Sequence, residues 1–126
     1  MSLDFSGEDL SKAPLKGARL SQATLIGTTL YKADLREANL FQADLREANL
    51  NEADLGRAEL TDADLRGADL KWADLSYACL RRAGLAHADL RNADLTNADL
   101  AGVNLFGAKL DGVIGLPDDI RSQWEG

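Results

Sequence analysis

Leucine recurs at every fifth position along almost the whole chain, and this spacing governs the pattern of apolar and polar residues. Every multiple of five from Leu10 to Leu110 is leucine, and Phe5 occupies the position before them. Steps of five would spread these side chains around all faces of an α-helix and would alternate them between the two sides of one strand. A common core therefore requires the chain to turn once in every five residues.

Small residues and turn-forming residues repeat in step with the leucines. Two positions before the leucine the chain has alanine at 18 of 21 positions, and one position before it has Asp or Asn at 13 of 21. Seven of the 11 glycines stand two positions after the apolar centre, where Asn92 and Asn97 also occur. Glycine and asparagine favour the positive φ at the third residue of a type II turn. The repeat A-(D/N)-L-x-x thus predicts an inward leucine, an inward alanine and a corner in each unit.

This motif resembles that of the pentapeptide repeat family, and the resemblance covers residues 3–112. The resemblance implies an all-β fold, a right-handed quadrilateral β-helix with four repeats in each coil. The 22 repeats then give about 5.5 coils, and a tower roughly 26 Å tall if neighbouring strands lie about 4.8 Å apart. We expect residues 1–126 to form a single domain, in which this β-helix is followed by a C-terminal segment, residues 113–126.

The C-terminal segment departs from the repeat and is predicted to contain a short helix. Pro117 suits the first turn of a helix, and Asp118 and Asp119 suit its positive end. Three apolar residues spaced by four share one helical face: Leu116, Ile120 and Trp124. We expect residues 118–124 to cap the last coil of a monomer. The alternative, by resemblance to gyrase-targeting members of the family, is that this face forms the contact of an end-to-end homodimer.

Composition and charge disfavour several classes of function. The 126 residues have a formal net charge of -7, which disfavours direct binding to nucleic acid or to an anionic membrane surface. The first ten residues lack the basic and apolar stretches of a signal peptide, and no apolar run reaches the length of a membrane span. The single cysteine, Cys79, allows no internal disulfide and fits a reducing compartment, so we expect a cytoplasmic protein.

The sequence offers little for catalysis or for cofactor binding. A core filled with leucine and alanine leaves no cavity of ligand size. His87 is the only histidine, and beside Asp89 it is interpreted as a solvated surface residue. Cys79 has no histidine partner and is interpreted as an inert surface thiol. We therefore expect no enzyme activity, no catalytic residue, no cofactor and no metal site.

Outward-facing aspartates are predicted to stack in one column at intervals of about 4.8 Å: Asp34, Asp54, Asp74 and Asp94. They could form an acidic stripe for a basic partner. The alternative, which we favour, is that these carboxylates accept hydrogen bonds from the local backbone at each corner. The same slot carries Asp or Asn on the other faces as well, which a stripe on one face would not require.

One stretch departs from the repeat in a way that is typical of binding surfaces. Residues 66–82, RGADLKWADLSYACLRR, place two aromatic residues in consecutive variable slots and two arginines on the next face. Arg57 lies 20 residues before Tyr77 and is expected directly beneath it. Trp, Tyr and Arg are enriched at binding hot spots, although single exposed aromatic residues are common on ordinary surfaces. The candidate partner-binding patch is Arg57, Trp72, Tyr77, Arg81 and Arg82.

These observations favour a non-catalytic, rigid scaffold for protein–protein interaction, with a protein partner that the sequence does not identify. The alternative, by resemblance to the quinolone-resistance members of the family, is a DNA-mimicking protein that binds a topoisomerase such as gyrase. A net charge of -7 over roughly 26 Å gives about one charge per 4 Å, whereas duplex DNA carries one per about 1.7 Å. The 14 basic residues are also interleaved with the acidic ones, so the charge density favours the scaffold.

Overall fold

A computed structural model describes residues 3–124, with side chains described as far as Ser122. The chain winds as a solenoid in which residues 20 apart in sequence lie side by side. Parallel β-bridges join such pairs from Asp4↔Thr24 to Asp94↔Ile114. Because each bridge advances by 20 residues, four repeats complete one coil. Within the described residues every bridge is a single residue pair, so the strands are minimal, and the one helix is α1, Asp118–Trp124.

A β-turn forms the corner of each repeat. In the repeat that follows Leu30, the N–H of Ala33 donates to the carbonyl of Leu30 at 3.0 Å, and the third residue of the turn, Lys32, has a φ of 56°. Positive φ recurs at this position in all 22 repeats, at seven glycines and 15 other residues. The predicted corner is confirmed. Positive φ at its third residue is less restricted to glycine and asparagine than predicted, because lysine, glutamate and aromatic residues also have positive φ there.

In the middle of the tower, a repeat with Asp or Asn before its leucine bonds all five of its backbone N–H groups, as residues 53–57 show. The first N–H closes the turn, the second donates to the coil below, and the third and fifth donate to the coil above, at 2.7–3.0 Å. The fourth, that of Gly56, donates to Oδ1 of Asp54 at 3.0 Å. Since unpaired backbone groups between packed coils would be costly, the side chain before the leucine completes the hydrogen bonding of its corner.

This role extends to every Asp and Asn in the slot. All 13 of them from Asp9 to Asn104, together with Asp4, accept a hydrogen bond from the N–H two residues later at 2.9–3.2 Å. The predicted column is present, since bridges join its members in register: Asp34, Asp54, Asp74 and Asp94. The interpretation of these carboxylates as acceptors at the corner is therefore confirmed.

We expect Asp94→Ala to lower the free energy of unfolding by about 1 kcal/mol, because the N–H of Thr96 loses the acceptor that it contacts at 2.9 Å. Asp94→Asn keeps a side-chain oxygen and removes only the charge, so it should remain within about 0.5 kcal/mol of wild type. Urea titrations followed by far-UV circular dichroism compare the two variants. An equal loss in both would assign the contribution of Asp94 to its charge and contradict the corner role.

Leucine and alanine fill the interior of the solenoid. Every leucine from Leu25 to Leu95 has only 0–1% of its surface exposed. Thr28 replaces an alanine and is also fully buried, and its hydroxyl donates to the carbonyl of Phe5 at 2.8 Å. Burial of this kind stabilises the fold by about 2 kcal/mol for each leucine before the entropy of ordering is counted. The core therefore couples each coil to the coils above and below it.

The two ends of the tower are covered differently. At the N-terminal end the apolar residues Phe5, Leu10 and Leu15 are only partly buried. At the C-terminal end Leu116 is buried, and Ile120 of α1 packs against the core. The side chain of the third predicted anchor, Trp124, lies outside the described residues. No helix within residues 3–124 combines the length and apolar character needed to cross a membrane.

Candidate interaction surface

Arg57 and Tyr77 stack at one corner of the tower, as the 20-residue period implies. The guanidinium carbon of Arg57 lies 4.5 Å from the ring centroid of Tyr77, within the range of a cation–π contact. Both residues take the third position of their turns, with φ of 59° and 61°, and both are exposed on the outer surface. Tyr77 remains 52% exposed, so the contact leaves much of the ring available to a partner.

The remaining residues of the predicted patch lie on neighbouring corners. Trp72, on the preceding corner, is 62% exposed. Arg81 and Arg82 are on the following corner, where Arg81 Nε donates to Asp99 at 2.6 Å and Arg82 Nε donates to Asp62 at 2.9 Å. The candidate patch therefore spans three corners, and two of its arginines are already paired with carboxylates.

Arginine–aspartate pairs within single repeats lie on three faces of the tower. In four repeats an arginine bonds back to the aspartate two residues before it through Nε and an Nη2 atom at 2.6–2.9 Å: Asp34–Arg36, Asp44–Arg46, Asp64–Arg66 and Asp89–Arg91. The arginine hydrogen bond holds the pKa of each carboxyl below its usual value, and that of Asp34 falls to about 2. The negative charge of each of these four aspartates is thus compensated by the arginine of its own repeat.

His87 and Cys79 are held in packing contacts. The ring of His87 meets Phe106 edge to face, with centroids 5.5 Å apart and planes at 84°. Cys79 Sγ lies 3.1 Å from the hydroxyl oxygen of Thr61. Within the part of the chain that the structure describes, no three His, Cys, Asp or Glu residues are grouped so that they could hold a metal ion. These contacts give neither side chain the nucleophile–base geometry of a catalytic pair.

Two exposed apolar residues lie outside the patch that the sequence predicts. Phe106 is 73% exposed, and Ile114, at the top of the aspartate column, is also exposed. Phe106 and Ile120 border an apolar groove between α1 and the last coil. The signal was present in the sequence, because both Phe106 and Ile114 occupy slots that carry polar residues in most other repeats.

A hollow at Gly56 was missed by the sequence analysis. The missing side chain leaves a notch of about 280 Å³ on the corner that carries Tyr77. Besides Gly56, it is lined by eight residues from neighbouring coils: Lys16, Arg36, Glu37, Asp54, Arg57, Asp74, Ser76 and Tyr77. The signal is a single substitution in the motif, since the repeat at Asp54 reads Asp-Leu-Gly where four others read Asp-Leu-Arg. Two of the predicted patch residues, Arg57 and Tyr77, thus border a concave feature rather than a flat surface.

Comparison with known proteins agrees with the solenoid. The family model for pentapeptide repeats matches residues 4–42, 38–76 and 78–114, with 8 copies. The pentapeptide repeat protein alr5209 from Nostoc PCC 7120 is 47% identical over 61% of this chain and 64% of its own, with a TM-score of 0.60. This chain therefore spans less than two thirds of the length of alr5209.

Two further solved structures extend the comparison. The pentapeptide repeat protein Rfr23 from the cyanobacterium Cyanothece 51142 is 30% identical over 90% of this chain and 84% of its own, with a TM-score of 0.50. QnrB1, a plasmid-mediated fluoroquinolone resistance protein, is 21% identical over 90% of this chain and 73% of its own, with a TM-score of 0.40. A likeness at that level carries no argument about function. No curated protein sequence is similar enough to count as a relative.

Proposed function

Because this chain belongs to the pentapeptide repeat family, whose members are right-handed quadrilateral β-helices and generally non-catalytic, we propose that it is a non-enzymatic scaffold for protein–protein interaction in the cytoplasm. Its tower of about five and a half coils, at four repeats per coil, serves as a rigid platform for surface side chains. The observation that carries the proposal is the exposure of Trp72 and Tyr77 on adjacent corners of a solenoid whose interior is filled.

The backbone under these two aromatic residues is held from the neighbouring coil. The N–H of Trp72 donates to the carbonyl of Arg91 at 3.1 Å, and the N–H of Tyr77 donates to the carbonyl of Thr96 at 2.9 Å. A side chain on a fixed backbone loses less conformational entropy when a partner orders it. Large aromatic groups presented in this way are the residue types that contribute most to binding energy at interfaces.

Support for the DNA-mimicking alternative is weaker. A mimic needs a dense row of uncompensated negative charge. Here Asp34 and Asp64, on two different faces, are each bonded by the arginine two residues later, and the net charge of the whole chain is -7. On the surface formed by residues 3–122, no feature favours a topoisomerase over another protein partner, so the scaffold remains the proposal.

We expect the double variant Trp72→Ala/Tyr77→Ala to lose at least one partner that the wild-type protein captures from a lysate of its source organism, with a recovery lowered about tenfold or more. The control is Phe106→Ala/Ile114→Ala, which removes two exposed apolar side chains elsewhere. Quantitative mass spectrometry compares the captured proteins, and calorimetry with the purified partner measures the change in Kd. Equal recovery of every protein by both double variants would remove the aromatic residues from the proposed function.

A further inference from the structure

The chain itself shows how an aspartate in this motif binds a guanidinium group. In four repeats the arginine two residues after the aspartate occupies the space beside the carboxylate and donates to both oxygens, as Arg36 does to Asp34 at 2.8 and 2.7 Å. Two parallel bonds of this kind match the planar fork of arginine, which lysine lacks. The slot two residues after the aspartate is therefore a built-in position for a guanidinium group.

When that slot holds a small residue, an arginine from elsewhere can take the position. Ala101 stands two residues after Asp99 and has no group that could pair with the carboxylate. Arg81, from the coil below, donates to Asp99 Oδ2 at 2.6 Å. The carboxylate thus attracts a guanidinium group even when its own repeat does not supply one.

At Asp54 the same position is open. Gly56 stands two residues later, and its N–H occupies only Oδ1 of Asp54. The nearest basic atom to Oδ2 is Nε of Arg36 at 3.9 Å, beyond hydrogen-bond distance, and Arg36 is already bonded to Asp34 through two nitrogens. The side chain of Asp54 lines the notch and is 43% exposed, so its carboxylate can be reached from solvent.

The basic groups around the notch make their closest contacts with partners other than Asp54. Arg57 is stacked on the Tyr77 ring, and Lys16 pairs at 3.9 Å with Glu37. The lining holds three carboxylates and three basic groups: Glu37, Asp54 and Asp74 against Lys16, Arg36 and Arg57. None of these three basic groups lies within hydrogen-bond distance of Asp54, because Arg36 makes its short bonds to Asp34.

The size of the notch suits a side chain. Its volume of about 280 Å³ lies at the lower end of the range of ligand pockets, which starts at roughly 300 Å³. Tyr77 forms part of its wall, and the aliphatic stem of a long basic side chain can pack along such a ring. We propose that the notch at Gly56 receives an arginine side chain of the partner protein, with its guanidinium group on Asp54. This proposal rests on the scaffold function, since it specifies what the surface at Tyr77 recognises.

The test uses Nα-acetyl-arginine amide as the probe and Nα-acetyl-lysine amide as its control, titrated into the full-length ¹⁵N-labelled protein. We expect saturable shifts of the Gly56, Arg57 and Tyr77 amide signals with a Kd on the order of 10 mM for the arginine probe, and at least threefold weaker binding of the lysine probe. The geometry at Asp54 distinguishes the two because only the guanidinium group can form two parallel N–H···O bonds to a carboxylate.

Gly56→Arg is the decisive variant, because it places the chain's own arginine in the notch. The φ of Gly56 is not positive, and four other repeats carry arginine at this position after the same Asp-Leu pair, so the variant should fold once Asp54 Oδ1, at 3.2 Å from the new Cβ, shifts by a few tenths of an ångström. We expect it to weaken binding of the arginine probe at least tenfold. Ala101→Arg adds the same side chain to the corresponding slot at Asp99 and should leave the affinity unchanged.

Several results would overturn the proposal. They are the absence of saturable shifts, equal affinity for the two probes, or undiminished binding by Gly56→Arg. Tighter binding of free arginine than of its capped amide would also overturn it, by assigning the notch to a small metabolite. The probe requires no protein partner. Failure of the titration would thus leave the scaffold function intact, whereas failure to capture a partner with normal probe binding would contradict the scaffold alone.

Discussion

Leu55→Asp should abolish cooperative folding of the tower. Leu55 has none of its surface exposed, and the same is true of Leu35 and Leu75, which lie below and above it in the same column. Removing a buried leucine costs about 2–5 kcal/mol, and an unpaired carboxylate in its place adds a further desolvation penalty. The total approaches the whole free energy of unfolding of a small domain, about 5–15 kcal/mol. Because each coil is stabilised by its neighbours, a defect in the middle separates two short stacks.

The same substitution near the N-terminal end provides the comparison. Leu10 is only partly buried, and the introduced carboxylate can reach water, so Leu10→Asp should fray the first coil while the rest still melts in one transition. Leu55→Met changes shape but little volume and should cost less than about 1.5 kcal/mol. Circular dichroism melts and ¹⁵N–¹H spectra compare the three variants. Matching melting curves for Leu55→Asp and Leu10→Asp would contradict the stacked-coil architecture.

The sequence predicts the fold well because one short motif determines the backbone conformation of every repeat. The five-residue spacing requires a corner in each repeat, and the turn after Leu30 has the predicted hydrogen bond and the predicted sign of φ. Spacing alone does not predict four repeats per coil, since any number of corners could turn leucines inward. Nor does local propensity predict Trp72 or Tyr77 at positive φ. There the bonds to adjacent coils offset the cost of a left-handed backbone at residues other than glycine.

The surface is less predictable from the sequence than the core. A period of 20 is sufficient to place Arg57 beneath Tyr77, because both point outward from equivalent corners. The partner of Arg81 could not be predicted from the sequence, because Asp99 and Asp62 both lie near that corner. The side-chain rotamers determine that Arg81 bonds to Asp99 and Arg82 to Asp62. The notch at Gly56 exists because this position has no side chain. A motif search considers the side chains that are present and therefore does not predict such a space.

Removing residues 117–126 should make the protein associate. Leu100 and Leu105 border the groove beside α1, and Ile120 packs over this end of the core. Without α1 their upper sides would meet water and form an apolar patch on the order of several hundred Å², a size that promotes association. Light scattering coupled to size exclusion should show a monomer for the full-length protein and larger species for the truncation. We favour the monomer because a short helix provides little of the roughly 1,200 Å² that a stable interface requires.

Single substitutions in α1 separate the cap from the dimer contact. Ile120→Asp places a charge on the face that packs against the core and should lower the free energy of unfolding by about 2 kcal/mol. Arg121→Asp makes a larger change of charge on the exposed side of the same helix and should have little effect. If the full-length protein is instead a dimer that Trp124→Glu converts to a soluble monomer, α1 is an end-to-end contact. A truncation that stays monomeric and melts like wild type would exclude both roles, because the apolar face of α1 would then contribute nothing to the tower.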